Sequence, residues 1–315
     1  MRPLQYVIGL DGGGTKTAAE LCDAAGGVLT SAIGGPSNFQ VIGVEQSAKT
    51  ILDLVETCCH SVGCTIGQLE SIVAGLTGAG RPGDQARMAE AIKAESARRG
   101  SPCKDVRVES DARIALEGAF GGQPGIIVIA GTGSIVFGKD AAGIVHRSGG
   151  WGRIVGDDGS GFAIGRDAFR AVFAAIDRRG PATALSKKLQ KNAGLADSDA
   201  IITALYKEGF DVASIAPMVM EAAKGGDHVA RIVLRRSADD LVGLIAPVVR
   251  KLHASSRKRT PFPLAFLGSL LTNKNYYSDR VRSLLRTELP SVRIQAPEAP
   301  PVHGAVLIAL DGIRS

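Results

Sequence analysis

The sequence predicts an α/β protein built from two lobes, and three observations carry this prediction. The chain has 315 residues, of which 45% are hydrophobic, so it can bury a substantial core and is longer than most single domains. Short apolar segments alternate with segments of helical periodicity. A glycine-rich hairpin between two strands occurs at Gly12 and again at Gly131, so we interpret the chain as two related halves.

The first half is predicted to contain a three-stranded antiparallel meander followed by alternating helices and strands. Glycines fill the first connection of the meander, and its second turn spans residues 24–27. The strands are predicted at Tyr6–Leu10, Thr17–Cys22, Val28–Ile33, Ile72–Leu76 and Val106–Glu109, and the helices at Val44–Val62 and Gly83–Arg99.

The second half repeats the opening pattern of the first. Asp23 and Asp140 open similar Asp-Ala-Ala-Gly turns, Thr15 and Thr132 lie in the two hairpins, and each pair is 117 positions apart. One register therefore relates turn and hairpin, which favours an internal repeat. Two unrelated hairpins that share common turn residues remain the alternative.

The rest of the second half again alternates between helices and strands. Pro247 falls inside the longest helical segment, near residues 227–254, where we expect it to kink or break the helix. We place the lobes at residues 1–117 and 118–315, and the last helix can pack back on the first lobe. The strands are predicted at Gly125–Ala130, Ile135–Gly138, Leu264–Leu267 and Val292–Gln295, and further helices at Gly161–Ile176, Ser278–Glu288 and Val302–Ile313.

The net charge of +6 at pH 7 raises the question of nucleic-acid binding. The chain has only four Tyr and one Trp, so no aromatic platform for bases accompanies its basic residues. We interpret the densest basic segment as a solvated helix end and loop, and the modest positive field as suited to a nucleotide triphosphate or a phosphorylated product. That segment consists of Arg250, Lys251, Arg257, Lys258 and Arg259.

The sequence shows neither an export signal nor a membrane segment. No N-terminal stretch combines a basic start, an apolar core and a small-residue cleavage site, and no apolar run approaches the roughly 20 residues that span a bilayer. The five cysteines are odd in number and lack Cys-x-x-Cys spacing. We therefore expect a cytoplasmic protein with reduced thiols.

The first hairpin carries the pattern of a phosphate-binding loop. Asp11-Gly12-Gly13-Gly14-Thr15-Lys16-Thr17 leads from one strand into another, whereas Walker loops and dinucleotide-binding loops open a helix. A tight glycine hairpin can point its N–H groups at phosphate oxygens, while the Thr hydroxyls and Lys16 add donors. Asp11 suits a magnesium ion held directly or through water beside those phosphates. A bare glycine turn is the alternative.

Acidic residues at two places are candidates for chemistry, and each has a structural alternative. Asp111 follows a strand at the end where ligands bind in α/β sheets, but Ser110 or Asp111 could equally cap the next helix. Asp157 and Asp158 lie in a glycine-bounded loop that could be a simple turn before a helix. Trp151 precedes this loop and is either a ligand contact or a core residue.

Five motifs in order resemble those of the N-acetylglucosamine kinase family. That family belongs to a group that includes the benzoyl-CoA reductase ATPase subunits and the 2-hydroxyacyl-CoA dehydratase activators. The motifs cover about the first half of the chain, and Gly268-Ser269 and His303-Gly304-Ala305 more weakly resemble the family's adenosine-side elements. The five are Asp11 to Thr17, Gly35-Pro36-Ser37-Asn38, Ser110-Asp111-Ala112, Gly131 to Ser134, and Gly149-Gly150-Trp151-Gly152 with Gly156-Asp157-Asp158-Gly159-Ser160.

The resemblance implies two ribonuclease-H-like lobes of the actin-like ATPase type that close over ATP and a sugar in a central cleft. It implies that Asp111 is the catalytic base. The residues implied for the nucleotide and its Mg²⁺ are Asp11, Gly12, Gly13, Gly14, Thr15, Lys16, Thr132, Gly133, Ser134, Gly268 and Ser269, with Asp11 as the metal ligand. Those implied for the sugar are Asn38, Asp111, Gly150, Trp151, Gly152 and Asp157.

The function implied by this resemblance is an ATP-dependent kinase that converts N-acetylglucosamine to N-acetylglucosamine 6-phosphate, with glucosamine as the alternative substrate. An activator-type ATPase is less well supported, because such proteins hold an iron–sulfur cluster through cysteines in the middle of the chain and none follows Cys103. A sugar-sensing regulator would need a helix–turn–helix segment, and none precedes Tyr6. We expect an amino-sugar substrate and no nucleic-acid or membrane partner, and a homodimer is compatible with the chain.

Overall fold

The computed structural model of the protein describes residues 5–255 and 260–314, which form two compact units. The first unit extends to Pro124 and also includes the segment that starts at Ala296, and the second unit is Gly125–Gln295. Residues 257–259 of the basic segment lie outside the described residues. Within the described ranges, no helix is both long and apolar enough to cross a bilayer.

The first unit is built on a five-stranded mixed sheet. Its strands are β1 (Tyr6–Gly12), β2 (Thr17–Asp23), β3 (Val28–Gly34), β4 (Leu69–Leu76) and β5 (Val106–Ser110). The order across the sheet is β3-β2-β1-β4-β5, with β2 antiparallel to both neighbours and β4 parallel to β1 and β5. The carboxyl ends of β1, β4 and β5 therefore meet at one edge of the sheet, which is where ligands bind in such folds.

Helices cover both faces of this sheet. They are α1 (Phe39–Ile42), α2 (Val44–Val62), α3 (Pro82–Arg98) and α4 (Asp111–Ala119). Residues of β1 alternate between two core clusters, as the period of a strand requires. Ile8 packs in one cluster with side chains of α2 and α3, including Ile51 and Met88, while Val7 packs in the other with Ile114 of α4.

The second unit repeats this sheet. Its strands are β6 (Gly125–Ala130), β7 (Ser134–Lys139), β8 (Val145–Gly149), β9 (Phe262–Leu267) and β10 (Val292–Gln295). They are arranged in the order β8-β7-β6-β9-β10, with β7 antiparallel to both neighbours and β9 parallel to β6 and β10. This is the strand order and orientation of the first sheet, so the predicted fold of two ribonuclease-H-like lobes is confirmed.

Helices of the second unit form one large apolar core with its sheet. They are α5 (Gly161–Ile176), α6 (Ala184–Ala193), α7 (Ser198–Tyr206), α8 (Ala216–Lys224), α9 (His228–Ser255), α10 (Ser269–Thr272) and α11 (Tyr276–Glu288). The longest of them, α9, packs against α5, α8, α11 and strand β7. This single helix therefore connects most of the layers of the unit.

The same turn follows the second strand of each sheet. Oδ1 of Asp23 accepts hydrogen bonds from the N–H groups two and four residues later, both at 2.9 Å. Oδ1 of Asp140 accepts hydrogen bonds from the N–H groups at the same two offsets, again both at 2.9 Å. Shared turn geometry together with shared strand order supports an internal repeat over two unrelated hairpins.

Two features of the second unit differ from what its local sequence indicates. Pro247 does not break α9, which runs from His228 to Ser255. Its neighbours Ile245 and Val248 are fully buried, and we attribute the continuity to this packing, which offsets the hydrogen bond that proline removes. Strand β8 was not predicted, because its residues are mostly half-buried and lack the apolar alternation that marks a strand.

Helix α12 (Pro301–Arg314) follows the second unit in the sequence but belongs to the first. It packs on β1 and α4, so closely that a Cβ on Gly304 would overlap the carbonyl oxygen of Ile114. Nδ1 of His303 lies 3.1 Å from Oε2 of Glu20 in β2. Packing within the first unit thus accounts for the motif at residues 303–305, which in sequence only weakly resembles an adenosine-side element.

Replacement of Gly304 by Ala tests this close contact. We expect Gly304→Ala to lower the free energy of unfolding by about 1–3 kcal/mol, as overpacking does. Gly243 in α9 is the matched control, because it is also helical and a Cβ there would meet nothing within 4 Å. Gly243→Ala should raise stability by about 0.5–1 kcal/mol. Urea denaturation measures the free energy of unfolding of both variants. Equal changes in the two variants would contradict the close packing of α12.

Candidate active site

The first hairpin joins β1 to β2 and is held by the loop that follows β3. Gly12 pairs with Thr17 across the two strands, and the N–H of Gly13 donates to O of Lys16 at 3.0 Å. A Cβ on Gly14 would meet nothing within 4 Å. Packing within the protein therefore does not require glycine at position 14. A ligand that closely approaches the backbone there would require it.

Asn38 is attached directly to this hairpin. The carbonyl oxygen of Gly13 accepts hydrogen bonds from the N–H groups of Ser37 and Asn38 at 3.1 and 3.2 Å. Oγ1 of Thr17 lies 2.7 Å from Oγ of Ser37, which is fully buried. Oδ1 of Asn38 accepts from the N–H of Gln40 at 3.1 Å, so Asn38 also caps α1. The first unit thus brings the predicted sugar residue Asn38 to the predicted phosphate hairpin.

Asp111 lies at the sheet edge where β5 passes into α4. Ser110 is the N-cap of α4, with its Oγ accepting from the N–H of Arg113 at 3.1 Å. The carboxylate of Asp111 accepts two hydrogen bonds, at Oδ1 from the N–H of Ala112 at 2.8 Å and at Oδ2 from Oγ1 of Thr77 at 3.0 Å. Both carboxylate oxygens are therefore held by donors from different elements.

Asp11 is the second-last residue of β1, which β4 separates from β5, and it is electrostatically coupled to Asp111. Burial raises the pKa of Asp11, the negative charge of Asp111 raises it further, and Lys16 lowers it. Two carboxylates at one sheet edge make a negative environment that a divalent cation would neutralise, and oxygen ligands are those that Mg²⁺ prefers. The residues present therefore fit a magnesium ion at Asp11.

The second hairpin is held by the loop that carries Asp157. Oδ1 of Asp157 accepts from the N–H of Ser134 at 3.3 Å, and Oγ of Ser134 donates to O of Asp158 at 2.7 Å. The N-terminus of α5 donates to the hairpin as well, from Gly161 to O of Gly131 at 2.8 Å. Asp157 itself has a φ of 60°, a left-handed conformation that is uncommon outside glycine.

Trp151 is not a core residue. It is 66% exposed, and the guanidinium of Arg147 lies 4.5 Å from the centre of its ring. Nε of Arg147 donates to O of Gly149 at 3.0 Å, and Nη2 of the same guanidinium donates to O of Gly150. The same arginine therefore orients both the indole and the backbone of the Gly150–Gly152 segment, and the core alternative for Trp151 is wrong.

Gly268 and Ser269 lie at the end of β9, beside the second hairpin. Gly268 has a φ of 87°, and a Cβ there would overlap the carbonyl oxygen of Ala130, the last residue of β6. Its own carbonyl oxygen accepts from the N–H of Leu271 at 3.1 Å and so begins the short helix α10. The second unit thus places Gly268 against Ala130, the residue that precedes the second hairpin.

Sequence reasoning missed two residues that contact these elements. Thr77 contacts Asp111, and the glycine turn after β4 was the signal that could have found it. Tyr277 is fully buried in α11, and its hydroxyl donates to O of Gly159 in the Asp157 loop. Nothing in the local sequence marks Tyr277, because only the packing of α11 brings it there.

Two lobes that share the ribonuclease-H-like topology, each with a glycine hairpin after its first strand, define an ATPase of the actin-like fold class. Within that class, the chain belongs to the BadF/BadG/BcrA/BcrD ATPase family, whose sequence profile matches residues 8–309.

Similar proteins extend over the whole chain. It is 33% identical over 309 residues to an N-acetylmuramic acid/N-acetylglucosamine kinase of Clostridium acetobutylicum, covering 97% of this chain and 98% of the relative. It is 30% identical to an N-acetyl-D-glucosamine kinase of Dictyostelium discoideum, covering 98% of each. The crystal structure of a candidate N-acetylglucosamine kinase from Chromobacterium violaceum matches with a TM-score of 0.69 and 27% identity, over 98% of this chain and 99% of that one.

Replacement of Asp11 by Asn tests the electrostatic coupling in the first lobe. A carboxyl whose pKa is raised by folding destabilises the folded protein when it is charged. We therefore expect Asp11→Asn to melt at a higher temperature than the wild type at pH 7. The difference in melting temperature between variant and wild type should shrink as the pH falls from the raised pKa toward 3.8, because the wild-type carboxyl then takes up its proton. Thermal melts from pH 4 to 7 measure this, and a lower melting temperature of the variant at pH 7 would contradict it.

Proposed function

We propose that the protein is an ATP-dependent sugar kinase that converts N-acetylglucosamine to N-acetylglucosamine 6-phosphate. The observation that carries the proposal is the carboxylate of Asp111, which two donors hold at the edge of the first sheet. A glycine hairpin lies at the same edge, and a second glycine hairpin occurs at the equivalent place in the second sheet. Two full-length relatives whose names include N-acetylglucosamine kinase support the substrate.

The nucleotide would bind to both hairpins. N–H groups of Gly14, Thr15, Thr132 and Gly133 would donate to the phosphates, while those of Gly13 and Ser134 hold the hairpins themselves. Lys16 would add a positive charge, and Gly268-Ser269 would lie on the adenosine side. Asp11 would hold Mg²⁺ directly or through water, and the bound ion would neutralise charge on the transferring phosphoryl group. The position of Asp11 at the end of β1, one residue before Gly12, supports this arrangement.

Asp111 would act as the catalytic base. A sugar hydroxyl is a poor nucleophile, so a carboxylate must orient it and accept its proton. The hydroxyl oxygen would attack the terminal phosphorus of ATP, the bond to ADP would break, and the proton would pass to Asp111. Capping of α4 by Ser110 supports this role, because only the N–H of Ala112 in this helix uses the Asp111 carboxylate, whose oxygens have further lone pairs for a proton.

The sugar would be recognised by polar groups of each lobe. Asn38 would contribute from the first lobe, and the backbone of Gly150 and Gly152, the indole of Trp151 and the carboxylate of Asp157 from the second. Oδ1 of Asp157 already accepts from Ser134, so we assign the sugar contact to Oδ2. Exposure of Trp151 supports a ligand contact for its ring.

Glucosamine is the alternative substrate, and the relatives described above favour the N-acetylated sugar. An activator-type ATPase is disfavoured by the thiols. Cys22, Cys58, Cys59 and Cys64 are buried, and burial raises the pKa of Cys22 to about 12. Cluster ligation needs the thiolate, which such an environment opposes.

A panel of sugars tests the proposed reaction. We expect magnesium-dependent ADP release to be strongly stimulated by N-acetylglucosamine, and less by glucosamine, N-acetylmuramate, glucose or N-acetylmannosamine. A coupled assay of ADP release at saturating ATP measures each rate. The same rate of ATP hydrolysis with and without every sugar would count against a kinase and in favour of an activator.

The base assignment is tested by Asp111→Asn. We expect a loss of turnover of about a hundredfold or more, because the amide can bind the hydroxyl but cannot accept its proton. The melting temperature and ATP affinity should stay close to wild type. Asp84→Asn is the control, since Asp84 also lies in the first turn of a helix but outside the candidate site. Retention of roughly a third of the wild-type rate by a folded Asp111→Asn protein would sink the assignment and point to Asp157.

A further inference from the structure

The turn after β4 has no part in the function proposed so far, although its glycine-rich sequence stands out. It contains Thr77, Gly78, Ala79 and Gly80. Since β4 lies between β1 and β5 in the sheet, this turn is placed between the first hairpin and Asp111. We propose that Thr77 is a positioning residue for the Asp111 carboxylate, an inference that rests on the kinase function proposed above.

The first reason is the hydrogen bond from Thr77 to the carboxylate. Oγ1 of Thr77 donates to Oδ2 of Asp111 at 3.0 Å, and the N–H of Ala112 donates to Oδ1 at 2.8 Å. The last torsion of an aspartate is soft, with broad rather than discrete minima. Two donors on opposite oxygens fix the plane of the carboxylate, whereas the N–H of Ala112 alone would leave it free to turn.

The second reason is that Thr77 also binds the phosphate hairpin. Its N–H donates to the carbonyl oxygen of Gly12 at 2.9 Å. One residue therefore contacts the candidate base through its side chain and the candidate phosphate loop through its backbone. In-line transfer requires the base, the nucleophile and the phosphorus at defined separations. The two contacts of Thr77 fix the distance between the Asp111 carboxylate and the first hairpin, and the rate depends on that distance.

The third reason is a link to the Asn38 segment. Nε2 of Gln40 donates to O of Gly78 at 3.2 Å. Gly78 has a φ of 94°, and a Cβ there would lie 2.8 Å from Cδ of Gln40, so this contact requires glycine. Gln40 in turn donates its N–H to Oδ1 of Asn38. The turn therefore connects the base, the hairpin and the proposed sugar residue of the first lobe.

Two substitutions of Thr77 separate positioning from packing. Thr77→Val keeps the shape but removes the hydroxyl, and Thr77→Ser keeps the hydroxyl. We expect Thr77→Val to lower kcat for the sugar by about tenfold to a hundredfold, with KM for ATP within about twofold of wild type. Thr77→Ser should restore most of the rate. Thr57→Val, which removes an exposed hydroxyl in α2, is the control and should be indistinguishable from wild type.

One further measurement is specific to action through Asp111. In an Asp111→Asn background, Thr77→Val should cost less than threefold, since the group that it positions is already disabled. Full additivity of the two changes would show that Thr77 acts elsewhere.

A crystal structure of Thr77→Val separates this inference from the proposed function. An Asp111 carboxylate that keeps its wild-type orientation overturns the positioning role whatever the protein phosphorylates, and a turned carboxylate supports it. If Asp111→Asn loses activity while Thr77→Val stays within twofold of wild type, the kinase proposal stands and the positioning role falls. If the wild type phosphorylates none of the sugars, the kinase proposal falls and the orientation in the crystal still decides whether Thr77 holds the carboxylate.

Discussion

Two backbone carbonyl groups hold the candidate site of the first lobe together. The carbonyl of Gly12 accepts the N–H of Thr77, and that of Gly13 accepts the N–H groups of Ser37 and Asn38. Loops that are distant in sequence thereby attach to one hairpin. Gly12 is buried, and a buried carbonyl without a donor costs about 1–3 kcal/mol. The hairpin therefore cannot shift without its loops. The residues proposed to bind phosphate, to bind the sugar and to act as the base consequently keep fixed positions relative to one another.

In the second lobe, hairpin carbonyls also accept hydrogen bonds from a neighbouring element, but the donors differ. The carbonyls of Gly131 and Thr132 accept the N–H groups of Gly161 and Phe162, the first two residues of α5. A helix leaves its first N–H groups unpaired, so the hairpin satisfies part of the helix terminus while the helix fixes the hairpin. Hairpin carbonyls thus serve for internal attachment in both lobes, although one lobe supplies donors from loops and the other from a helix.

Local signals in the sequence are enough for most elements, whereas the two ribonuclease-H-like lobes follow from the family resemblance. Apolar alternation and glycine position predict β1, β2 and β6, and the Asp23 and Asp140 turns reveal the repeat. Residues whose role depends on tertiary contacts could not be found this way. Thr77 has a role only because β4 lies between β1 and β5, and the indole of Trp151 meets Arg147 only in the folded chain. Pro247 does not break its helix, because burial of that helix outweighs a local rule.

Helix α12 has a consequence for how the protein is made. It supplies part of the core that covers Val7 and Val73, yet it is translated after every residue of the second unit. Until α12 emerges from the ribosome, α4 alone covers that face of the first sheet, while the second lobe can already close its own core. Apolar surface exposed during synthesis invites aggregation. The strands of the first lobe thus depend on a helix that is made after the second lobe, which makes chaperone demand and sensitivity to premature termination properties of this topology.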